Sequence, residues 1–312
     1  MSVIALLGAV EIGLIFGLAS LGVWITFRVL DFPDLTVDGS FATGGAVAAT
    51  LIAGGLDPFA ATVVAVAAGV LAGIVTAWMN TRFGILHLLA GILTMIALYS
   101  VNLRIMGRPN VPLLGDSTVF TPLDNIGLPT VWLEPAALAV LTVIVTAALD
   151  RYLLSETGLA LRAAGANPRM ARANGIRTER CIIIGVALGN ALVALAGALF
   201  AQSQQSADVS MGIGTIVVGL ASVIIVETLV PGPLRRSIVA ATAACVAGSV
   251  VYRLVVNFAL NLDFIGLRAS DLNLVTAVLV LAALGLPTYR RRRAARAAAA
   301  AAAAAAAPRA AT

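Results

Sequence analysis

Asp34-Leu-Thr-Val-Asp-Gly-Ser-Phe and Asp208-Val-Ser-Met-Gly-Ile-Gly place charged and hydroxyl side chains at the mouths of two long apolar runs. Each reads Asp, aliphatic, hydroxyl, aliphatic, Gly, with Asp38 as one additional residue in the first copy. Such side chains can do two things. They accept the backbone N–H groups left free where a helix starts, and they hold a polar solute. In lipid, Asp and Gly at such a point are costly unless the helix is broken and lines a path. Matching interrupted segments in two halves of one chain point to a permeation route. Phe32, Asp34, Thr36, Asp38, Ser40, Asp208 and Ser210 are the candidates to line it. Capping alone accounts equally well for the polar members, and packing for Phe32 and Phe41.

The rest of the chain must hold these residues inside a membrane. Hydrophobic residues make up 60% of the 312 and charged residues 11%, with a mean hydropathy of +1.01. A soluble domain carries about 25% charged residues, so the composition is that of a polytopic membrane protein. The length accommodates roughly eight to ten spans of about 20 residues in one all-α bundle. The net charge of +5 does not call for nucleic acid, because the excess lies in one internal loop and near the C-terminus, as topology requires. All 20 basic residues are Arg. Without Lys there is no Gly-Lys-Ser/Thr phosphate loop, so any nucleotide that drives the process binds another subunit. Cys181 and Cys245 lack metal or redox spacing and read as packing residues. The N-terminal stretch reads as the first span, not a removable signal peptide.

Apolar runs predict spans over 3–27, 39–55, 59–79, 84–103, 131–149, 181–203, 212–230, 237–260 and 272–288. The segment 151–180 holds six Arg against Glu156 and Glu179 and is assigned to the cytoplasmic side. Arg28, Arg82, Arg235-Arg236 and Arg290–Arg293 fall on the same side by span count. Nine spans, N-terminus out and C-terminus in, fit the charges. The two broken segments then run in opposite directions, as an inverted-topology repeat of 3–103 against 181–288 demands. The permease domain occupies 1–290, and 291–312 is a low-complexity Arg/Ala tail.

The basic loop, Glu156-Thr-Gly-Leu-Ala-Leu-Arg-Ala-Ala-Gly-Ala-Asn-Pro, parses into two short helices. The first runs over 156–164 and stops at Gly165. Asn167 caps the second, with Pro168 at its first position and Gly175 after its last turn. Two capped helices outside the membrane form either a rigid knob that transmits force to a partner or a basic loop that only sets topology. Glu227 pairs with Arg235 or Arg236, or reaches the knob. Glu11 lies inside the first span, where a carboxyl can serve as a proton site. His87 has no second His to share a metal and reads as a polar residue near the interface. Arg253 is expected to extend toward the outer headgroups or to pair with an acid.

The loop string, with Ala171 and Gly175-Ile176, closely resembles the ATPase-coupling loop of ABC importer permeases that handle branched-chain amino acids, ribose and other sugars. Ala207–Gly214 with Gly219-Leu-Ala-Ser-Val-Ile-Ile is similar to that family's second-half signature. The family commonly has Gly before Glu where this chain has Val226-Glu227. Phe32-Pro-Asp-Leu-Thr-Val-Asp-Gly-Ser-Phe is similar to a narrower subgroup linked to uptake of amino acids such as tryptophan. The resemblance covers nearly the whole chain except the Ala-rich tail. It implies a permease subunit in the inner membrane of a bacterium that works by alternating access. A second permease subunit, ABC ATPase subunits carrying the ATP and an external binding protein complete the assembly. Glu156, Thr157, Gly158, Arg162, Ala163, Gly165, Asn167 and Gly175 would form the ATPase contact.

The rival class is a self-sufficient secondary transporter driven by protons or sodium, which leaves the knob unexplained. A membrane-embedded enzyme needs clustered His, paired Asp or a Ser/Lys dyad, and one His with no Lys does not supply them. No metal and no cofactor bound by this chain are expected.

Overall fold

Long aliphatic runs become helices in lipid because only intrahelical partners satisfy their N–H and C=O groups. The computed structural model describes residues 3–124, 130–229, 237–260 and Leu281. Helix α1 spans Val3–Trp24 and continues as a π-turn through Val29; α2 spans Thr36–Ala53, α3 Pro58–Phe83 and α4 His87–Met106. Strand β1 (Asn110–Pro112) and a short α5 (Thr121–Asp124) precede α6, Thr130–Leu154. The basic loop forms α7 (Glu156–Ala166) and α8 (Pro168–Ala173). Then come α9 (Thr178–Ser203), β2 (Ser206–Asp208), α10 (Thr215–Leu229) and α11 (Ile238–Leu260).

Six helices among the described residues are long and apolar enough to cross a membrane: α1 with its π-turn, α3, α4, α6, α9 and α11. The protein is a multi-pass helical membrane protein. Helices α2 and α10 are not among the six. The segment 272–288, apart from Leu281, and the tail 291–312 lie outside the described residues, as do Arg235 and Arg236.

Two ends of the bundle are distinct. Helices α7 and α8 mark the basic end. Strands β1 and β2 pair antiparallel, Asn110 opposite Asp208 and Pro112 opposite Ser206, and mark the other, the ribbon end. Helix α9 runs from the basic to the ribbon end, and α2 lies parallel to its second half. Ser40 sits beside Asn190, halfway along the 26-residue α9, while Ala46, Ala49 and Ile52 pack with Ala201 and Ala207 at the ribbon. Helix α2 therefore starts in the middle of the bundle. Helix α10 starts at the same level and runs toward the basic end, where Val223 packs with Ile25, Leu149 and Leu153.

Small residues make this packing possible. A Cβ on Gly197 would overlap the Phe41 carbonyl, and one on Gly44 would overlap that of Ala194. On α3, a Cβ at Gly73 would stand 2.7 Å from the Val186 carbonyl oxygen. Helices α2, α3 and α9 thus meet backbone to backbone, the contact that small residues permit in membranes.

Several sequence expectations are corrected here. The second broken helix begins at Thr215 and not 212, while the first begins at Thr36 and not 39. Gly165 does not stop α7 but lies inside it, with the Val29 carbonyl where a Cβ would be. Arg253 does not reach outward: its guanidinium lies 4.0 Å from the centre of the Phe16 ring, inside the bundle, as a cation–π pair. Glu11 lies inside the first span as expected and accepts the Ser203 hydroxyl at 2.5 Å.

Gly197→Leu should destabilise the protein by about 3 kcal/mol or more, because the clash falls on backbone that cannot rotate away. Gly8→Ala, which meets nothing within 4 Å, should not. Thermal unfolding of the two variants in detergent, read by monodispersity, checks the contrast.

Candidate functional site

The first polar motif folds as a turn that starts α2 in mid-bundle. The π-turn ends at Val29; two residues on, Asp31 adopts φ +53, and the chain doubles back through 32–35. Asp34 is fully buried. Its Oδ1 accepts the Thr36 N–H at 2.9 Å, and its Oδ2 accepts the Asn190 side-chain amide at 2.7 Å. The carbonyl of the same Asn190 amide accepts the Ser40 hydroxyl at 2.6 Å. Thr36 joins a second chain of hydroxyls, 2.8 Å to Thr76 on α3 and 2.9 Å from there to Thr94 on α4. Asp34, Thr36 and Ser40 therefore tie four helices together.

The second motif repeats this geometry. Gln205 adopts φ +52, three residues before Asp208, as Asp31 stands three residues before Asp34. These are the two non-Gly residues with positive φ among the described residues, a conformation L-residues rarely adopt. Asp208 Oδ1 accepts the Ser210 N–H at 2.8 Å and also the Ser210 hydroxyl. Here the turn is exposed at the ribbon. The Ser210 hydroxyl holds the Asp208 carboxyl below the ordinary carboxylate value, with smaller help from the Ser210 N–H and the Asn110 side chain, against partial burial.

Asp38 belongs to neither turn. From the first turn of α2 it reaches across to α10, where its oxygens accept the Gly214 N–H at 3.1 Å and the Ile216 N–H at 2.8 Å. Its own carbonyl lies where a Cβ on Gly212 would be. The N-termini of two half-helices thus converge on one carboxylate, which sits in the positive field of both. Asp38 also lines a cavity of about 420 Å³ between α2, α4 and the 209–213 turn.

Phe32 is buried with its ring 4.4 Å from that of His87. Phe41 is buried between Phe16 and Phe200, at 5.4 and 5.6 Å. Of the seven path candidates, Asp38 lines the cavity; Asp34, Thr36, Ser40 and Phe32 lie inside the packing; Asp208 and Ser210 form the ribbon turn. Asn190, Thr76, Thr94 and Asn102 were not singled out from the sequence. A polar side chain inside an apolar span was the available signal for each.

At the basic end the knob has two faces. Gly158, Leu161 and Ala164 are buried, and Gly158 and Gly165 abut the backbones of Leu153 and Leu30. Ser155 and Asn167 cap the two helices: the Asn167 side chain accepts the Arg169 and Met170 N–H groups at 3.2 and 3.1 Å. Gly175, at φ +80, ends the second. Glu156, Thr157 and Asn167 are exposed, Arg162 and Ala163 half-buried. Leu159 and Met170 are 58% and 64% exposed, apolar residues turned outward on a basic surface.

The family described as branched-chain amino acid transport system, permease component, matches residues 5–286. The chain is 38% identical over 271 residues to a tyrosine transport system permease protein of Clostridioides difficile, covering 87% of each. It is 34% identical over 280 residues to an uncharacterized protein of Rickettsia prowazekii, covering 89% of this chain and 96% of that one. It is 27% identical over 262 residues to the ribose import permease protein RbsC of Escherichia coli, covering 80% and 75%. No solved structure matches.

Asn190→Ala should cost about 3 kcal/mol, since it leaves the buried Asp34 carboxylate and the Ser40 hydroxyl without their shared partner. Ser40→Ala should cost about 1 kcal/mol; thermal unfolding separates the two. The depressed Asp208 contributes stability that is complete above its unfolded pKa and is lost as pH falls through its folded value. Hydrogen exchange at the Ser210 amide should therefore lose protection only below the ordinary carboxylate range, and Asp208→Asn should remove that pH dependence.

Proposed function

The chain belongs to the branched-chain amino acid transport system permease family, and on that premise we propose that it is the pathway-forming subunit of an ATP-binding-cassette importer for a small solute, an amino acid. The observation that carries this reading is the meeting of two oppositely directed half-helices at Asp38, each entered through an Asp-capped, left-handed turn. Such paired interruptions are what a substrate path at mid-membrane requires. On this reading the chain crosses the membrane nine times, arranged as inverted halves, 3–103 against 181–288. The amino-acid preference rests on the relative named for tyrosine transport.

The assembly would comprise two permease subunits, alike or unlike, separate ATPases and an external binding protein, in the cytoplasmic membrane of a bacterium. A chain without Lys offers no Gly-Lys-Ser/Thr phosphate loop, which supports an ATPase carried on a separate chain. The knob offers the ATPase a rigid, basic surface with Leu159 and Met170 exposed on it. Closure of an ATP-loaded pair would favour one of two bundle states by its differential affinity for the knobs. A carrier driven by an ion gradient would have no use for that surface.

Tagged protein drawn gently from its native membranes should bring an ATPase with it. Leu159→Glu with Met170→Glu changes only exposed side chains and should release the ATPase while leaving thermal stability unchanged. Gly165→Asp should also release it, by levering α7 off Val29. Uptake by the purified chain in liposomes without any ATPase would overturn the reading in favour of the ion-driven class.

A further inference from the structure

Asn102 is fully buried on α4, yet neither its amide nitrogen nor its amide oxygen has a hydrogen-bond partner among the described residues. A buried amide with both ends unsatisfied is a standing cost to the fold, and such groups are rare unless something outside the fold completes them. Asn102 lines the same cavity as Asp38. Apolar side chains line it too: Met95 and Ile96 from α4 and Ile213 from the turn before α10, the last 74% exposed. A volume of about 420 Å³ lies within the range of small-molecule sites.

The chemistry of the three walls differs. Asp38 presents a carboxylate whose oxygens each accept one N–H from α10. An oxygen of that kind retains acceptor capacity and negative charge for a cationic group. Asn102 supplies an amide nitrogen that donates and an amide oxygen that accepts, both on α4. The Met95–Ile213 side accepts an apolar body. A ligand that satisfies all three carries an ammonium, a group that both gives and takes hydrogen bonds, and an apolar side chain.

We propose that this cavity is a binding station on the transport path in which Asp38 receives the ammonium of an apolar or aromatic amino acid and Asn102 sets specificity by completing its hydrogen bonds with that substrate. This rests on the importer reading above. Asn102 then has a different character from Asn190, whose amide is spent on Asp34, Ser40 and the Val186 carbonyl.

The test uses the intact permease–ATPase assembly with L-tyrosine, L-leucine and N-acetyl-L-tyrosine as probes. L-tyrosine or L-leucine should raise the thermal unfolding temperature of the wild type, and N-acetyl-L-tyrosine, which lacks the ammonium, should not. Asn102→Leu removes both unsatisfied atoms, so its own unfolding temperature should be equal or higher than wild type. The ligand-induced shift should nevertheless disappear, and ATP-driven uptake should fall roughly tenfold or more through KM. A merely structural Asn102 would show no such opposition between stability and binding. Asn102→Leu with undiminished ligand shift and uptake overturns the assignment of the station while leaving the importer reading intact. A wild-type assembly that shows neither a ligand shift nor uptake of either amino acid, with ATP and its binding protein present, overturns the station and its substrate class, while an ATPase that still co-purifies keeps the importer reading.

Discussion

Backbone N–H groups exposed at the start of a half-helix have no water to turn to in the middle of a membrane, and each one left unpaired costs several kcal/mol. Asp38 resolves this for α10 by giving both its oxygens to that helix from the first turn of α2. Asp34 resolves it for α2, with Thr36 N–H on one oxygen and Asn190 on the other. Neither half-helix can be displaced without uncovering N–H groups or a carboxylate. A membrane protein can thus hold two broken helices at one level without either sliding. The positive ends of both helices meet beside the same cavity, and their field stabilises the carboxylate that a cationic solute would approach.

Close approach of backbones keeps that junction narrow. Gly44 and Gly197 bring α2 against α9, Gly73 brings α3 against α9, and Gly212 lets the turn before α10 rest on the Asp38 carbonyl. With so little side chain between helices, the hydroxyls of Thr36, Thr76 and Thr94 reach one another directly, and the Ser40 hydroxyl reaches the Asn190 amide. Packing and polar pairing are therefore one constraint: a larger residue at the glycines would pull the hydrogen-bond partners apart.

Much of this was legible in the sequence because it was written in local patterns. The recurrence of Asp, aliphatic, hydroxyl located both capped turns, and the Asn167-Pro168 step located the join between α7 and α8. What was not legible depends on partners distant in the chain. Nothing local assigns Asn190 to Asp34, 156 residues away, or tells that Asn102 will lack a partner where Asn190 has three. Gly165 read as a stop because glycine commonly ends helices; its use here is to let α7 lie against Val29. Arg253 read as reaching outward because long cations in membranes commonly do, whereas the Phe16 ring holds it inside. Half-helices also read as full spans, since hydropathy reports composition and not the depth at which a helix begins.

The knob and the helix junction are joined by a short piece of chain. Helix α7 rests through Gly165 on the Val29 carbonyl, and Leu161 interlocks with Leu30 over the bare face of Gly185. Leu30 and Phe32 are in turn tied back to the π-turn by N–H donation to Ile25 and Thr26 at 3.0 and 2.8 Å. Two residues after Phe32 comes Asp34, and then the first turn of α2 with Asp38. On the proposed role, a movement of α7 reaches the half-helix that borders the cavity through the short non-helical segment 30–35. The left-handed Asp31 is the sharpest bend on the way, and the π-turn before it is the widest part of α1, so bending there costs less than elsewhere along the helix. On the proposed role, the same few residues that satisfy the backbone at the helix junction also carry the stroke to it.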